Sequence, residues 1–166
     1  YHPLLCYDGL TGDLLKAELR DGTIYSSTGV VDFMQPLLDE YSEKYPDIEL
    51  FLRGDSGFAT PDLFKQCETN GISYAIRLKA NRVLYSHAKH LDDEIAKATK
   101  DNMIDYVVRY DAFDYKAGKW DYPRRVIVKV EKPYNQLTNQ YSFIVTNMQL
   151  SPEEIIRYYR NRGTME

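Results

Sequence analysis

The stretch "IELFLRGDSGFATPDLFKQCETNGISYAIRLKA", residues 48–80, constrains the fold more than any other part of the chain. "IELFLR" is short, apolar and bounded by Asp47 and Gly54, which predicts a strand buried on both faces, as in a parallel sheet. Thr60, Pro61 and Asp62 then supply a helix cap and a first-turn proline, and Gly71 supplies the stop. "ISYAIRLKA" reads as the next strand. Upstream, "SSTGVVDFMQPLLDEYSEKYPD" places Val30, Phe33, Met34, Leu37, Leu38 and Tyr41 at helical spacing after Ser/Thr caps, so a helix is expected despite Pro36. Helix, strand, helix, strand in succession is the pattern of a βαβ layer with helices lying on a sheet.

The flanking regions have a different character. "YHPLLCYDGLTGDLLKAELRDG" is two apolar runs around a Gly-containing turn, a predicted β-hairpin. From about Leu84 onward, "HAKHLDDEIAKAT" reads as a charged helix, and "YVVRYDAFDY", "RRVIVKVEK" and "QYSFIVTN" read as alternating strands. An antiparallel β insertion is the simplest account of them. "LSPEEIIRYYRNRGTME" closes the chain as a helix with Ser151 as cap, Pro152 at the first position and Glu154 completing a capping box. Neither an internal repeat nor a low-complexity segment is visible.

At 166 residues and 43% apolar content, the chain has the size of one domain with a core of its own. Cys6 and Cys67 form no CxxC pair, so neither a disulfide framework nor a zinc site is implied, and a reducing cytoplasm is the expected compartment. No apolar run approaches bilayer length. A net charge of −4 argues against wholesale coating of nucleic acid. The bases are nonetheless clustered: Arg77, Lys79 and Arg82; Arg124, Arg125, Lys129 and Lys132; Arg157, Arg160 and Arg162. Such clusters read either as solvated faces or as phosphate-binding surfaces.

Three chemistries compete for "RGDSGF", residues 53–58. Arg-Gly-Asp suggests an adhesion loop, but that use requires secretion. Ser56 as a protease nucleophile needs a histidine within hydrogen-bond reach, and His2, His87 and His90 are poorly placed for it. The third reading makes Asp55 a metal-binding carboxylate at the tip of a strand. His87 and His90 share a helix at a spacing that permits a shared metal, but they lack a third ligand. At the other end of the chain Tyr159, Arg162 and Glu166 are spaced to share one helix face, with Ile155 a turn earlier anchoring it. An Arg–Glu pair on an amphipathic helix would have the same spacing. Two carboxylates on separate elements beside basic residues also match what magnesium-dependent phosphoryl transfer requires.

"RGDSGF" after a strand, and "YYRNRGTME" with Tyr159, two residues, Arg162, three residues and Glu166, closely resemble the catalytic region of bacterial insertion-sequence transposases of the DDE type. "YHPLLCYDGLTGDLLKAELRDG" and "YAIRLKAN" resemble further stretches of that group. The resemblance implies an α/β, ribonuclease H-like mixed sheet flanked by helices, with an antiparallel β insertion before the last helix. It divides the chain into residues 1–80 of the core, an insertion over 81–147 and a catalytic helix over 148–166. Asp55 would be the second catalytic acid and Glu166 the third, together holding two Mg²⁺ or Mn²⁺ ions. The first acid is expected on a core strand upstream of Tyr1, with Asp8 a minor candidate. Loss of that strand would leave the strand of "YHPLLCYD" and that of "IELFLR" with unpaired edges, to be closed by direct pairing or by another copy.

DNA would be the partner, met by Tyr159, Arg162, Arg77, Lys79, Arg124 and Arg125, with a homodimer in the active complex and a bacterial cytoplasm as location. Trp120, beside "RR", would either hold an extruded base, as related enzymes do with an aromatic residue in this region, or sit in the core. A domain of another class also satisfies the pattern: a non-catalytic nucleic-acid-binding module whose acids pair with neighbouring bases.

Overall fold

The computed structural model describes residues 1–100 and 106–161. The predicted opening hairpin forms from β1 (Leu4–Tyr7) and β2 (Leu14–Glu18), antiparallel, with an irregularity between Cys6 and Tyr7. Asp8 shapes its turn by accepting from the backbone N–H groups of Leu10 (2.7 Å) and Thr11 (2.9 Å), which hold its carboxyl below the usual carboxylate range. Helix α1 (Val30–Lys44) follows with Pro36 inside it. Its N-cap is Gly29, at φ 74°, rather than one of the expected Ser or Thr residues. That left-handed conformation is one that glycine adopts without steric cost.

β3 (Phe51–Gly54), α2 (Pro61–Thr69) and β4 (Ser73–Leu78) form the predicted βαβ unit, with β3 and β4 parallel and Gly54 opposite Ile76. Thr60 caps α2, and Gly71, at φ 67°, turns the chain after it. The strand expected from "IELFLR" is shorter than that segment and lies at the edge of its sheet instead of in the middle. Phe51 is 50% exposed and Ile48 lies outside the strand. Among the described residues β3 pairs with β4 on one side only, and Phe51 packs against Tyr158 of the last helix, 5.9 Å between ring centres.

Helix α3 (Arg82–Ala98) is capped by Asn81, whose side chain accepts from Val83 and Leu84. β5 (Val107–Tyr115), β6 (Arg124–Lys132) and β7 (Gln140–Thr146) are the expected alternating strands, and α4 (Pro152–Arg160) has the full Ser151/Glu154 capping box. These three strands continue the sheet that begins with β3 and β4. β7 pairs antiparallel with β4, giving the order β3-β4-β7-β6-β5.

Alternation along the strands sorts side chains to two faces. Tyr74, Ile76, Val126, Val128, Phe143 and Val145 pack with α1, α2 and α3, while Ala75, Ile127 and Ile144 pack with Met148 and with Ile155 and Ile156 of α4. A five-stranded mixed sheet between helices, with the hairpin beside it, is a ribonuclease H-like α/β architecture. β1 pairs with β2 alone, so the direct pairing of β1 with β3 considered above does not occur.

Candidate active site

Asp55 follows Gly54 at the carboxyl end of β3, where open α/β sheets characteristically bind ligands. It caps a 3₁₀ turn over Ser56–Phe58, its Oδ1 accepting from the Gly57 N–H at 2.8 Å. Two glycines make this tight turn possible. A Cβ on Gly57 would stand 2.9 Å from Ser26 Cβ and 3.0 Å from Asp55 Oδ1, and one on Gly54 would stand 3.3 Å from Phe58 Cβ. The chain around Ser26 is itself fixed by buried Arg20, which donates to the carbonyls of His2, Ser26 and Thr28.

The last turn of α4 docks onto this end of β3. The Tyr159 hydroxyl donates to the Gly54 carbonyl at 3.1 Å, and Arg53 donates from Nη1 to the Tyr158 carbonyl at 3.1 Å. The same guanidinium donates from Nη2 to the Gly9 carbonyl at 3.2 Å and lies 5.1 Å from the centre of the Tyr158 ring. Burial pushes the Tyr158 phenol up, with the Arg53 charge acting against it. Ile155 is fully buried beneath α4, as its place on the predicted stripe requires. Arg162 and Glu166 lie outside the described residues.

Arg77 and Lys79 are exposed and sit at the same end of the sheet, because Gly54 is in register with Ile76. Arg77 is two residues from Ala75 on β4 and therefore on the α4 face. Arg125 is half-buried and donates to the carbonyls of Met148 (2.7 Å) and Leu150 (2.8 Å), holding the approach to α4. Arg124 and Trp120 are inside the protein. Trp120 is 5% exposed, with its ring against Phe64 and Tyr115 and the Arg124 guanidinium over it. Arg124 makes a two-pronged pair with Glu68, Nε to Oε1 at 2.8 Å and Nη2 to Oε2 at 3.0 Å, and also stacks on Phe64 and Tyr122. Burial opposes ionisation of Glu68, but donors from Arg124, Tyr122 and Tyr74 outweigh it and hold the carboxyl below its ordinary range.

The competing chemistries find no support in this arrangement. His2 bonds the Ile24 carbonyl, His87 stacks on Phe113, and His90 sits 2.8 Å from Asp111, so each histidine is engaged away from Ser56. Sequence reasoning overlooked Arg53 and Glu68. A lone arginine in an otherwise apolar strand was the available signal for Arg53, since a buried or half-buried guanidinium must find acceptors.

A metal centre of oxygen ligands is consistent with Asp55, a carboxylate at a strand end, and this donor suits Mg²⁺ or Mn²⁺. Among the described residues no three or more His, Cys, Asp or Glu side chains group closely enough to hold an ion.

The fold is an α/β, ribonuclease H-like sheet with Asp55 at the carboxyl end of an edge strand and the last turn of α4 docked beside it. The family model described as transposase DDE domain group 1 matches residues 1–166, and the chain belongs to that family. No curated protein sequence matches it. Among the described residues no helix is long and apolar enough to cross a membrane.

Proposed function

We propose that this chain supplies catalytic residues for cutting and joining DNA strands in transposition, by metal-dependent phosphoryl transfer. The observation that carries the reading is the docking of α4 on the Asp55 turn through Tyr159 and Gly54, in a chain whose whole length matches a transposase family. Asp55 and Glu166 would hold Mg²⁺ or Mn²⁺, two ions in the complete centre. Bound there, the metal supplies Lewis acidity for an in-line displacement at phosphorus.

The chain's own residues bind and orient the DNA. The planar donor fork of Arg162 suits a phosphate beside the carboxylates, and the Tyr159 hydroxyl would reach the same phosphate by exchanging its bond to the Gly54 carbonyl for one to the DNA. Arg77 and Lys79, exposed at the same sheet end, suit the flanking backbone. Arg125 would reach DNA from the edge of α4, whereas Arg124 and Trp120 serve from within, as the packed support of β6 and α2. Transposon ends and target DNA are the proposed substrates, engaged by a homodimer in a bacterial cytoplasm.

The test is Asp55→Asn and Glu166→Gln in the full-length transposase, in strand-cleavage and DNA-binding assays. Both variants are expected to lose cleavage while keeping DNA affinity, because affinity comes mainly from phosphate contacts. Cleavage by either variant at near wild-type rate in Mg²⁺ would overturn the assignment of Asp55 and Glu166 as catalytic acids, whereas DNA binding without cleavage by the wild type would favour the non-catalytic nucleic-acid-binding reading.

A further inference from the structure

Arg53 is two residues before Asp55 and half-buried, and its guanidinium touches three parts of the fold at once. Nη2 meets the Gly9 carbonyl in the hairpin turn, Nη1 meets the Tyr158 carbonyl in the last turn of α4, and its own strand leads directly into the Asp55 turn. The guanidinium lies so close to the hairpin backbone that a Cβ on Gly9 would stand 2.8 Å from Nη2. The carbonyls of a helix's last turn have no partner inside the helix, and that end carries the negative end of the helix dipole. A cation there satisfies both demands, and a rigid planar fork can span two acceptors where a point-like ammonium cannot. The second tie between the same elements, Tyr159 to the Gly54 carbonyl, is one residue further along both α4 and β3.

We propose that Arg53 is a positioning residue: by bridging the Gly9 and Tyr158 carbonyls it fixes the last turn of α4 and the hairpin turn against the strand that leads into Asp55, holding the metal-binding carboxylate in place. This inference rests on the reading of Asp55 as a metal ligand. Arg53 itself touches no metal or DNA in this role. Its contribution is local, at the rim of the fold, so its loss changes the geometry of the site far more than the stability of the two cores.

The test compares Arg53→Ala, Arg53→Lys and Asp55→Asn with the wild-type chain in two measurements. One is amide hydrogen exchange of residues 55–58 and 156–161, and the other is Mn²⁺ affinity from the electron paramagnetic resonance signal of the free ion. Arg53→Ala is expected to speed exchange in both segments by roughly tenfold or more. It is also expected to weaken Mn²⁺ binding by about tenfold, the equivalent of one lost hydrogen bond in holding the carboxylate's turn. Arg53→Lys, able to reach one carbonyl at a time, falls between. Asp55→Asn keeps an acceptor for the Gly57 N–H, so it should leave exchange unchanged while abolishing Mn²⁺ binding. If Arg53→Ala leaves either exchange or affinity at the wild-type value while Asp55→Asn loses the metal, the positioning role is wrong and the metal reading stands. If Asp55→Asn binds Mn²⁺ as the wild type does, the metal reading falls and takes this inference with it.

Discussion

Glu68→Gln tests whether the Arg124 cluster is scaffold or DNA surface. The Arg124 side chain is 4% exposed and Glu68 21% exposed, and two short hydrogen bonds join them. Arg124 Nη1 already lacks a partner in this buried setting, so the guanidinium depends on Glu68 for its charge balance. Breaking a buried pair by removing one charge costs about 3–5 kcal/mol. Partial exposure of Glu68 admits water, and glutamine retains one acceptor, so a loss of about 2–3 kcal/mol is expected. Arg124→Met should cost less, because the Tyr74 and Tyr122 hydroxyls still donate to the remaining carboxylate. Urea unfolding followed by Trp120 fluorescence reads both, since Trp120 is the only tryptophan and lies against Arg124.

The pH dependence of this pair has a definite sign. Glu68 is held below its ordinary value of 4.5 in the folded protein, so its contribution is complete above 4.5 and is lost as pH falls through the folded value. The gap between wild type and Glu68→Gln should therefore be widest near neutral pH and close in acid. A gap under about 0.5 kcal/mol at neutral pH, the usual spread of surface substitutions, would refute the buried-pair argument. So would a gap that stays constant far below 4.5.

Gly57→Ala should destabilise by about 1–3 kcal/mol, as overpacking does, and should displace the Asp55 carboxylate; calorimetry and cleavage rate measure the two effects. Arg77→Ala and Lys79→Ala should each lower the slope of log affinity against log salt by about 1 without changing sequence preference, which binding titrations at several salt concentrations would show. Arg124→Ala should leave that slope unchanged, because its charge is already matched by Glu68 inside the protein.

Local signals in the sequence were sufficient where chemistry acts over a few residues. The Ser151/Glu154 capping box, the Thr60 cap and the Gly71 stop all form as their residue types require. Strand position was less legible. Apolar character in "IELFLR" predicts burial on both faces, but neighbours in the sheet decide burial, and those come from remote parts of the chain. Asp55 stood out as a candidate because a lone acid between glycines after a strand is unusual for a packed segment, and the strand-end position expected for it is where it lies. For Trp120 the core position was one of two readings, and it is the one that forms. The fate of Arg124 was not legible, because a basic cluster in sequence says nothing about a glutamate 56 residues away that neutralises it. Arg53 belongs to the same class: both of its acceptors are backbone carbonyls, which carry no side-chain signature.

The centre of the large sheet is a seam between distant parts of the chain. Thr146 Oγ1 donates to the Tyr74 carbonyl and the Tyr74 N–H donates to Asn147, partners 72 and 73 residues apart. A chain emerging from the ribosome therefore presents β3, α2 and β4 long before β7 exists to pair with β4. During that interval the inner edge of β4 is bare, and Tyr74 and Ile76, fully buried in the finished protein, lack half their cover. Pairing at such separation is slow because the loop must close before any contact repays it. The inner edge of β4 gains its partner only once β7 has left the ribosome, and its other face only once α4 has followed.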